Sequence, residues 1–186
     1  MARNTRKTAK KRSQPAADKT AAASARWQRK LVAAAARARH GAVPPYSHFK
    51  VGAALLTAAG EIIGGANVES ASYGLTCCAE RVALFTALTS GRRNFVAIAV
   101  VARMAGGAMP CGACRQLLAE YAPKARVWVA DSAALGRIKE FSVQELLPAA
   151  FAEVPGKLQP IRKRRMRSSG RSRPKTKLLP QMGQDG

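Results

Sequence analysis

Acidic residues, histidines and long apolar runs are all scarce in this chain of 186 residues. Asp and Glu number 10 against 32 Lys and Arg, which gives a formal net charge of +22. No apolar run reaches the length of about eighteen residues that a membrane-spanning helix needs. The N-terminus also lacks the apolar segment of a secretory signal. The four cysteines are therefore expected in a reducing compartment, where metal binding is favoured over disulfides.

The positive charge is concentrated at the two ends of the chain. Residues 1–25 carry seven Lys or Arg and one acid, and residues 156–186 carry ten and one. Both segments lack hydrophobic periodicity, so we predict disordered basic tails around a single domain at residues 26–155. Three roles stay open for the tails: a solvated arm, a phosphate-binding segment for nucleic acid, or, for the first tail, an organelle presequence.

The pattern within the domain predicts alternating helices and strands. Strands are expected at residues 49–56, 61–67, 95–102 and 126–131, and helices at residues 24–40, 76–90, 111–121 and 142–150. The order of hairpin, helix, strand, helix, strand and helix predicts a three-layer α/β/α domain. Ser142 and Glu145 form a capping box at the start of the last helix. Small residues mark places where a backbone or a ligand comes close, namely Gly52, Gly64 and Gly65.

Three of the four cysteines lie in two short segments about thirty residues apart. Cys78 stands two residues before Glu80, whereas Cys111 and Cys114 form a Cys-x-x-Cys at the start of a helix. Unpaired N–H groups at helix starts favour thiolates, which are ready ligands for zinc. Three protein ligands leave one tetrahedral position open for water, as in catalytic zinc sites. Cys77 is expected to pack rather than ligate, because adjacent helical residues point about 100° apart.

Charged side chains next to these cysteines are candidates for the chemistry. Glu80 is expected to face the open zinc position and to move a proton between water and a substrate nitrogen. Zinc with three thiolates carries a net negative charge, which makes bound water less acidic. Arg81 and Arg115 are candidates to offset that charge by hydrogen bonding to sulfur. Asn67 and Glu69 lie two apart on a strand, so they point to one side, where they suit the hydroxyls of a sugar.

Taken in order, these motifs resemble the small, homotetrameric cytidine deaminases of the cytidine/deoxycytidylate deaminase family. An acid two residues after the first ligand, followed by Pro-Cys-x-x-Cys, is the signature of zinc deaminases. The similarity spans about residues 27–151, and it also rests on residues 45–54, 67–69, 71–74 and 146–151. It implies a mixed sheet of about five strands and one Zn²⁺ per subunit, bound by Cys78, Cys111 and Cys114.

The resemblance also implies a role for each residue of the site. Glu80 would be the proton shuttle, and Asn67 and Glu69 would bind the ribose 3′-hydroxyl. Phe49 would stack near the pyrimidine, and the backbone of Ala79 would contact the base. In a homotetramer, two further aromatic residues would complete the site from neighbouring subunits, namely Tyr73 and Phe151.

The implied reaction is hydrolytic deamination of cytidine and deoxycytidine to uridine and deoxyuridine, with release of ammonia, in pyrimidine salvage in the cytoplasm. A mitochondrial or nuclear location is the alternative in a eukaryote. A nucleic-acid cytosine deaminase recruited through the basic tails is the competing function, but the tails hold no aromatic residue on which bases could stack. A blasticidin-type deaminase should lack the Asn-x-Glu pair, and a purely structural zinc site would not need Glu80.

Overall fold

The computed structural model describes residues 15–151, with side chains from residue 24 onward. Helix α1 covers Pro15–Ala38 and therefore begins well before residue 24, where the pattern placed its start. Proline at the first helical position and the high helix propensity of the alanine-rich segment after it account for the longer helix. The other residues of the predicted tails lie outside the described residues, so the tails and the domain limits of 26 and 155 remain predictions.

Five strands form one mixed sheet in the order β2-β1-β3-β4-β5. The strands are β1 Val51–Thr57, β2 Ile62–Ala66, β3 Phe95–Ala102, β4 Arg126–Asp131 and β5 Ile138–Ser142. Strands β3 and β4 are parallel, whereas the other neighbouring pairs are antiparallel. The expected hairpin turn between β1 and β2 is present, and Gly60 takes a positive φ of 84° there.

Helices cover both faces of the sheet, which confirms the expected α/β fold with three layers. On one face α1 packs through Leu31, Val32 and Ala35. On the other face lie α2 (Ala79–Thr89), α3 (Gly112–Tyr121) and the short α4 (Val143–Leu146). The predicted capping box at the start of α4 is present. None of the helices within residues 15–151 is both long and apolar enough to cross a membrane.

Two of the glycines expected at close approaches let helices lie directly on the strands. A Cβ atom on Gly52 would stand 2.1 Å from the carbonyl oxygen of Ala35 in α1. A Cβ atom on Gly65 would stand 2.4 Å from the backbone nitrogen of Ala83 in α2. Because both neighbours are backbone atoms, no rotamer change could make room. Gly65 thus sets the distance between β2 and the helix whose first turn carries Glu80.

The pattern did not predict strand β5, which pairs with β4 at the edge of the sheet. Two of its five residues are charged, and its apolar residues Ile138 and Phe141 are three apart and pack on opposite faces of the sheet, so they form no alternating pattern. Tertiary contacts explain one of those charges. The carboxylate of Glu140 accepts a hydrogen bond from Trp128 Nε1 at 3.1 Å and lies 3.3 Å from Arg126 Nη1. Polar residues on an edge strand are common, and they discourage pairing with another chain.

Candidate active site

Three thiols meet where α2 and α3 begin. Cys78 and Cys111 are the N-cap residues of these helices, and Cys114 lies in the first turn of α3. The sulfur of Cys111 is 3.8 Å from that of Cys78 and 3.6 Å from that of Cys114, and all three lie within 4.8 Å of one another. Zinc–sulfur bonds of about 2.3 Å in a tetrahedron place sulfurs about 3.8 Å apart. The donor set and its spacing therefore fit Zn²⁺.

The electrostatics of the cluster favour a thiolate at Cys78. A hydrogen bond with Cys114, followed by those from Arg81 and Cys111, lowers the pKa of Cys78 to about 5 despite partial burial. The same hydrogen bond, together with burial, raises the pKa of Cys114, so the first negative charge belongs to Cys78. Cys77 is not part of the cluster, and burial raises the pKa of its thiol. Two helix N-termini point positive dipole ends at the sulfurs.

Glu80 is almost fully buried beside the thiols, with 5% of its surface exposed. Burial raises the pKa of its carboxyl group to about 7, although its own backbone N–H opposes the shift. A carboxyl group with a pKa near neutral pH can both accept and donate a proton during a reaction. The side chain lines a cavity of about 250 Å³ whose walls also include Cys78 and Cys111.

The two arginines predicted beside the cysteines have different partners. Arg81 Nη2 lies 3.9 Å from the sulfur of Cys78 and also donates to the carbonyl oxygen of Thr76. Arg115 does not donate to a thiol, in contrast to the expectation. Its guanidinium donates to the carbonyl oxygens of Pro110 at 2.8 Å and Leu146 at 3.1 Å. Arg115 therefore stabilises the backbone just before Cys111 and does not contact the sulfur directly.

A short backbone ladder brings the predicted sugar-binding pair beside the thiols. Val68 and Cys77 form an antiparallel bridge, with N–H···O distances of 3.0 and 2.8 Å. Because Asn67 and Glu69 flank Val68, their side chains reach the cavity next to Cys78. The sequence distance between these segments gives no hint of this pairing, which depends on the loop between them folding back.

Asn67 and Glu69 are also bonded to the loop that follows residue 45. The buried amide of Asn67 accepts from Val51 N–H at 2.8 Å and donates to the Phe49 carbonyl oxygen at 2.9 Å. Glu69 accepts hydrogen bonds from Ser47, whose hydroxyl is the main reason that the pKa of this carboxylate is lowered. Phe49, expected in a strand, lies in this loop instead and lines the cavity.

The cavity brings together most of the predicted site, but not all of it. Its walls include seven of the predicted residues, namely Phe49, Asn67, Glu69, Cys78, Ala79, Glu80 and Cys111. Tyr73 and Phe151 are not part of its lining, and their surfaces are 81% and 66% exposed. The other six lining residues were not predicted as part of the site, namely Val51, Thr76, Cys77, Val100, Ala108 and Met109. For Thr76, Ala108 and Met109, the position just before Cys77 or Pro110 was the only available signal.

Three thiols and a buried carboxyl group at two helix starts on a mixed sheet fit the ligands and the acid of a catalytic zinc site. Comparison with known proteins makes the class specific. A sequence model of the cytidine and deoxycytidylate deaminase zinc-binding region matches residues 25–130. The chain belongs to this family, and the resemblance seen in the sequence is thereby confirmed.

Relatives and solved structures agree with this assignment. A cytidine deaminase of Halalkalibacterium halodurans is 55% identical over 122 residues, which are 65% of this chain and 91% of that protein. A crystal structure of cytidine deaminase from Burkholderia pseudomallei shares 50% identity with a TM-score of 0.63, and the match covers 66% of this chain and 97% of that one. A blasticidin-S deaminase of Bacillus cereus is 32% identical over 109 residues, or 54% of this chain and 76% of that protein.

Proposed function

We propose that the protein is an enzyme that hydrolyses cytidine to uridine and ammonia. One observation carries the proposal: Cys78, Cys111 and the buried Glu80 line one cavity, and the sulfur of Cys114 completes a cluster of three thiols with the two lining cysteines. Two relatives that are 55% and 47% identical to this chain are cytidine deaminases, which supports the same reaction. The cavity volume of about 250 Å³ is of the size that holds one small ligand.

Zinc is the cofactor that the cluster is suited to bind, with Cys78, Cys111 and Cys114 as its ligands. When bound, zinc supplies a polarised water molecule as the nucleophile. Arg81 lies next to the Cys78 sulfur, where its positive charge offsets the excess negative charge of three thiolates. Helix dipoles act in the same direction. A single zinc ion per subunit follows from the single cluster within residues 15–151.

Glu80 moves the protons that the hydrolysis requires. Its carboxylate accepts one proton from the attacking water and donates it to the ring nitrogen next to the carbon that bears the amino group. The hydroxyl oxygen forms a bond to that carbon. Glu80 then carries the remaining hydroxyl proton to the amino group, which leaves as ammonia while the carbon–oxygen double bond of uridine forms. Burial keeps the pKa of Glu80 near the pH at which both transfers occur.

The rest of the cavity is suited to hold a nucleoside. Phe49 would stack near the pyrimidine, and the backbone of Ala79 would contact its polar edge. Asn67 and Glu69 would bind the ribose 3′-hydroxyl. Deoxycytidine keeps this hydroxyl, and we propose it as a second substrate. A homotetramer is also part of the proposal, since Tyr73 and Phe151 are exposed and free to reach a neighbouring subunit.

The decisive experiment is ultraviolet-monitored conversion of cytidine by the zinc-loaded chain and by Glu80→Gln. Glutamine keeps the shape of the side chain but cannot accept and return a proton. We expect full zinc content and a loss of kcat of about 10²–10⁴-fold, the usual contribution of general acid–base catalysis. Absence of turnover in the zinc-loaded wild-type chain would refute the proposal. Single-stranded RNA and DNA would then be tested as substrates.

The proposal also includes the cellular location of the protein. All four cysteines are free thiols, and the thiol cluster requires reduced sulfur. The reduced thiols support a cytoplasmic role in pyrimidine salvage. Binding of nucleic acid by the basic tails remains a separate hypothesis, because the tails are outside the described residues apart from the start of α1.

A further inference from the structure

Ser47 links two residues of the cavity without lining that cavity itself. Its hydroxyl group donates a hydrogen bond to Glu69 Oε1 and accepts one from the Phe49 N–H at 3.0 Å. Ser47 instead faces a neighbouring cavity, whose walls include Tyr46, Glu69 and Tyr73. One hydroxyl group therefore joins the carboxylate on the sugar side of the site to the aromatic residue on the base side.

The loop of residues 46–49 depends on such hydrogen bonds because it buries little apolar surface. All four of its residues are exposed. Glu69 Oε2 accepts from the N–H groups of Tyr46 at 3.1 Å and Ser47 at 3.0 Å. His48 has a left-handed φ of 56°, which turns the chain at the residue between Ser47 and Phe49. The loop therefore relies on these bonds, together with the bond from the His48 N–H to the Pro44 carbonyl oxygen at 3.1 Å, to keep its shape.

Hydrogen bonds from this loop fill most of the acceptor positions of the Glu69 carboxylate. Its two oxygens offer about four acceptor positions, and Tyr46 and Ser47 together fill three of them. One position remains for a hydroxyl group in the cavity. The Ser47 hydroxyl fixes which position that is, because it ties Oε1 in place while the two N–H groups hold Oε2.

Both backbone polar groups of Phe49 form hydrogen bonds. Its N–H donates to the Ser47 hydroxyl at 3.0 Å, and its carbonyl oxygen accepts from Asn67 Nδ2 at 2.9 Å. Removal of the Ser47 hydroxyl would leave the second bond but release the first. The aromatic ring, half-exposed at the cavity wall, would then lose its fixed position relative to Glu69.

We propose that Ser47 is a positioning residue that couples sugar recognition by Glu69 to base stacking by Phe49. The inference rests on the proposed cytidine deamination and extends it to a residue outside the cavity lining. Ser47 does not touch the reacting atoms near Glu80. Its loss should therefore weaken nucleoside binding while leaving the chemical step intact.

Steady-state kinetics with cytidine test this role through the split between KM and kcat. For Ser47→Ala we expect KM to rise about tenfold, the size of one hydrogen bond to a charged group, with kcat changed less than about twofold. Ser47→Thr keeps the hydroxyl and should restore KM. Ser70→Ala is the matched control, since Ser70 lines the same neighbouring cavity but its hydroxyl accepts only from Ser72 N–H. An unchanged KM in Ser47→Ala would overturn the proposal.

A substrate without the 3′-hydroxyl shows whether Ser47 acts through the contact between Glu69 and the ribose or only keeps the loop in place. In the wild-type chain 3′-deoxycytidine should have a lower kcat/KM than cytidine, and in Ser47→Ala this difference should shrink. Equal differences in both chains would overturn the coupling. Calorimetric titration with uridine measures the same effect without turnover, and here we expect a Kd about tenfold weaker in Ser47→Ala. Failure of the proposed function would appear as a wild-type chain that neither deaminates cytidine nor binds uridine, which would also overturn the role of Ser47.

Discussion

The contact between Gly65 and α2 leads to the sharpest stability prediction. Replacement of Gly65 by Ala puts a Cβ atom 2.4 Å from Ala83 N and 2.5 Å from the carbonyl oxygen of Ala79. Ordinary contact begins at 3.4 Å, so β2 and α2 must separate by about 1 Å (3.4 − 2.4). Overpacking of this kind costs about 1–3 kcal/mol, and the rigid backbone neighbours place Gly65→Ala at about 3 kcal/mol. At about 3 °C per kcal/mol, Tm should fall by roughly 9 °C.

Gly64 provides the matched control on the same strand. Its added Cβ atom would meet only the Ala38 side chain at 3.4 Å and the Ala53 carbonyl oxygen at 4.0 Å, which are ordinary contacts. Gly64→Ala should therefore change stability by less than about 0.5 kcal/mol. Thermal unfolding of the zinc-loaded chains at equal protein concentration measures both variants. Equal Tm values for the two variants would refute the packing argument.

The same displacement should reach the active site, because α2 follows Cys78 directly and carries Glu80 in its first turn. A shift of about 1 Å in a catalytic group can reduce turnover about 100-fold. We therefore expect Gly65→Ala to lower kcat/KM for cytidine far more than Gly64→Ala does. A destabilised Gly65→Ala chain with wild-type kcat/KM would show that the helix start does not move with the rest of α2.

Three further predictions concern the metal, its charged neighbour and acid stability. Cys114→Ser should lose zinc on dialysis while Cys77→Ser retains it, since only the former removes a thiol of the cluster; metal analysis measures this. Arg81→Gln should lower zinc affinity or kcat about 10–100-fold, as measured by chelator competition and kinetics. Glu145 has its pKa lowered below 4.5 by the N–H of Ser142, so its stabilisation is complete above pH 4.5 and lost as the pH falls through the lower folded-state pKa. Glu145→Gln should therefore reduce the pH dependence of urea unfolding in that range.

Each of these predictions has an outcome that contradicts it. If Cys114→Ser retains zinc, or if Cys77→Ser loses it, the proposed set of zinc ligands is wrong. Wild-type kinetics and zinc affinity in Arg81→Gln would show that the helix dipoles alone balance the thiolates. An unchanged acid limb of the unfolding curve in Glu145→Gln would mean that the capping box contributes equally with either side chain.

Local patterns were sufficient for a large part of the fold. The apolar runs of β3 and β4 have the bounds that the sequence predicts, because strands buried in the middle of a sheet are uniformly apolar. The capping box of α4 and the turn at Gly60 follow from side chains that bond within three or four residues. Such interactions are readable in one sequence because both partners are close along the chain.

Contacts between residues far apart along the chain could not be predicted in the same way. Strand β5 was missed in part because the charge of Glu140 is explained only by Trp128 and Arg126 on the neighbouring strand. Arg115 was expected at a sulfur, but it bonds to Leu146, thirty-one residues away. The helix α1 starts earlier than its apolar periodicity shows, since alanine carries helix propensity without a strong pattern.

For the site, the sequence by itself determined the chemistry: the spacing of Cys78, Glu80, Cys111 and Cys114 predicts a zinc centre with a proton-transferring acid. Only the tertiary structure decided how a substrate cavity is built around it. The Val68–Cys77 bridge places Asn67 and Glu69 beside the thiols, and Ser47 joins Glu69 to Phe49 across twenty-two residues of sequence. Residue spacing identifies donor atoms on one helix turn, but the distance between separate segments is set by the packing of strands and loops.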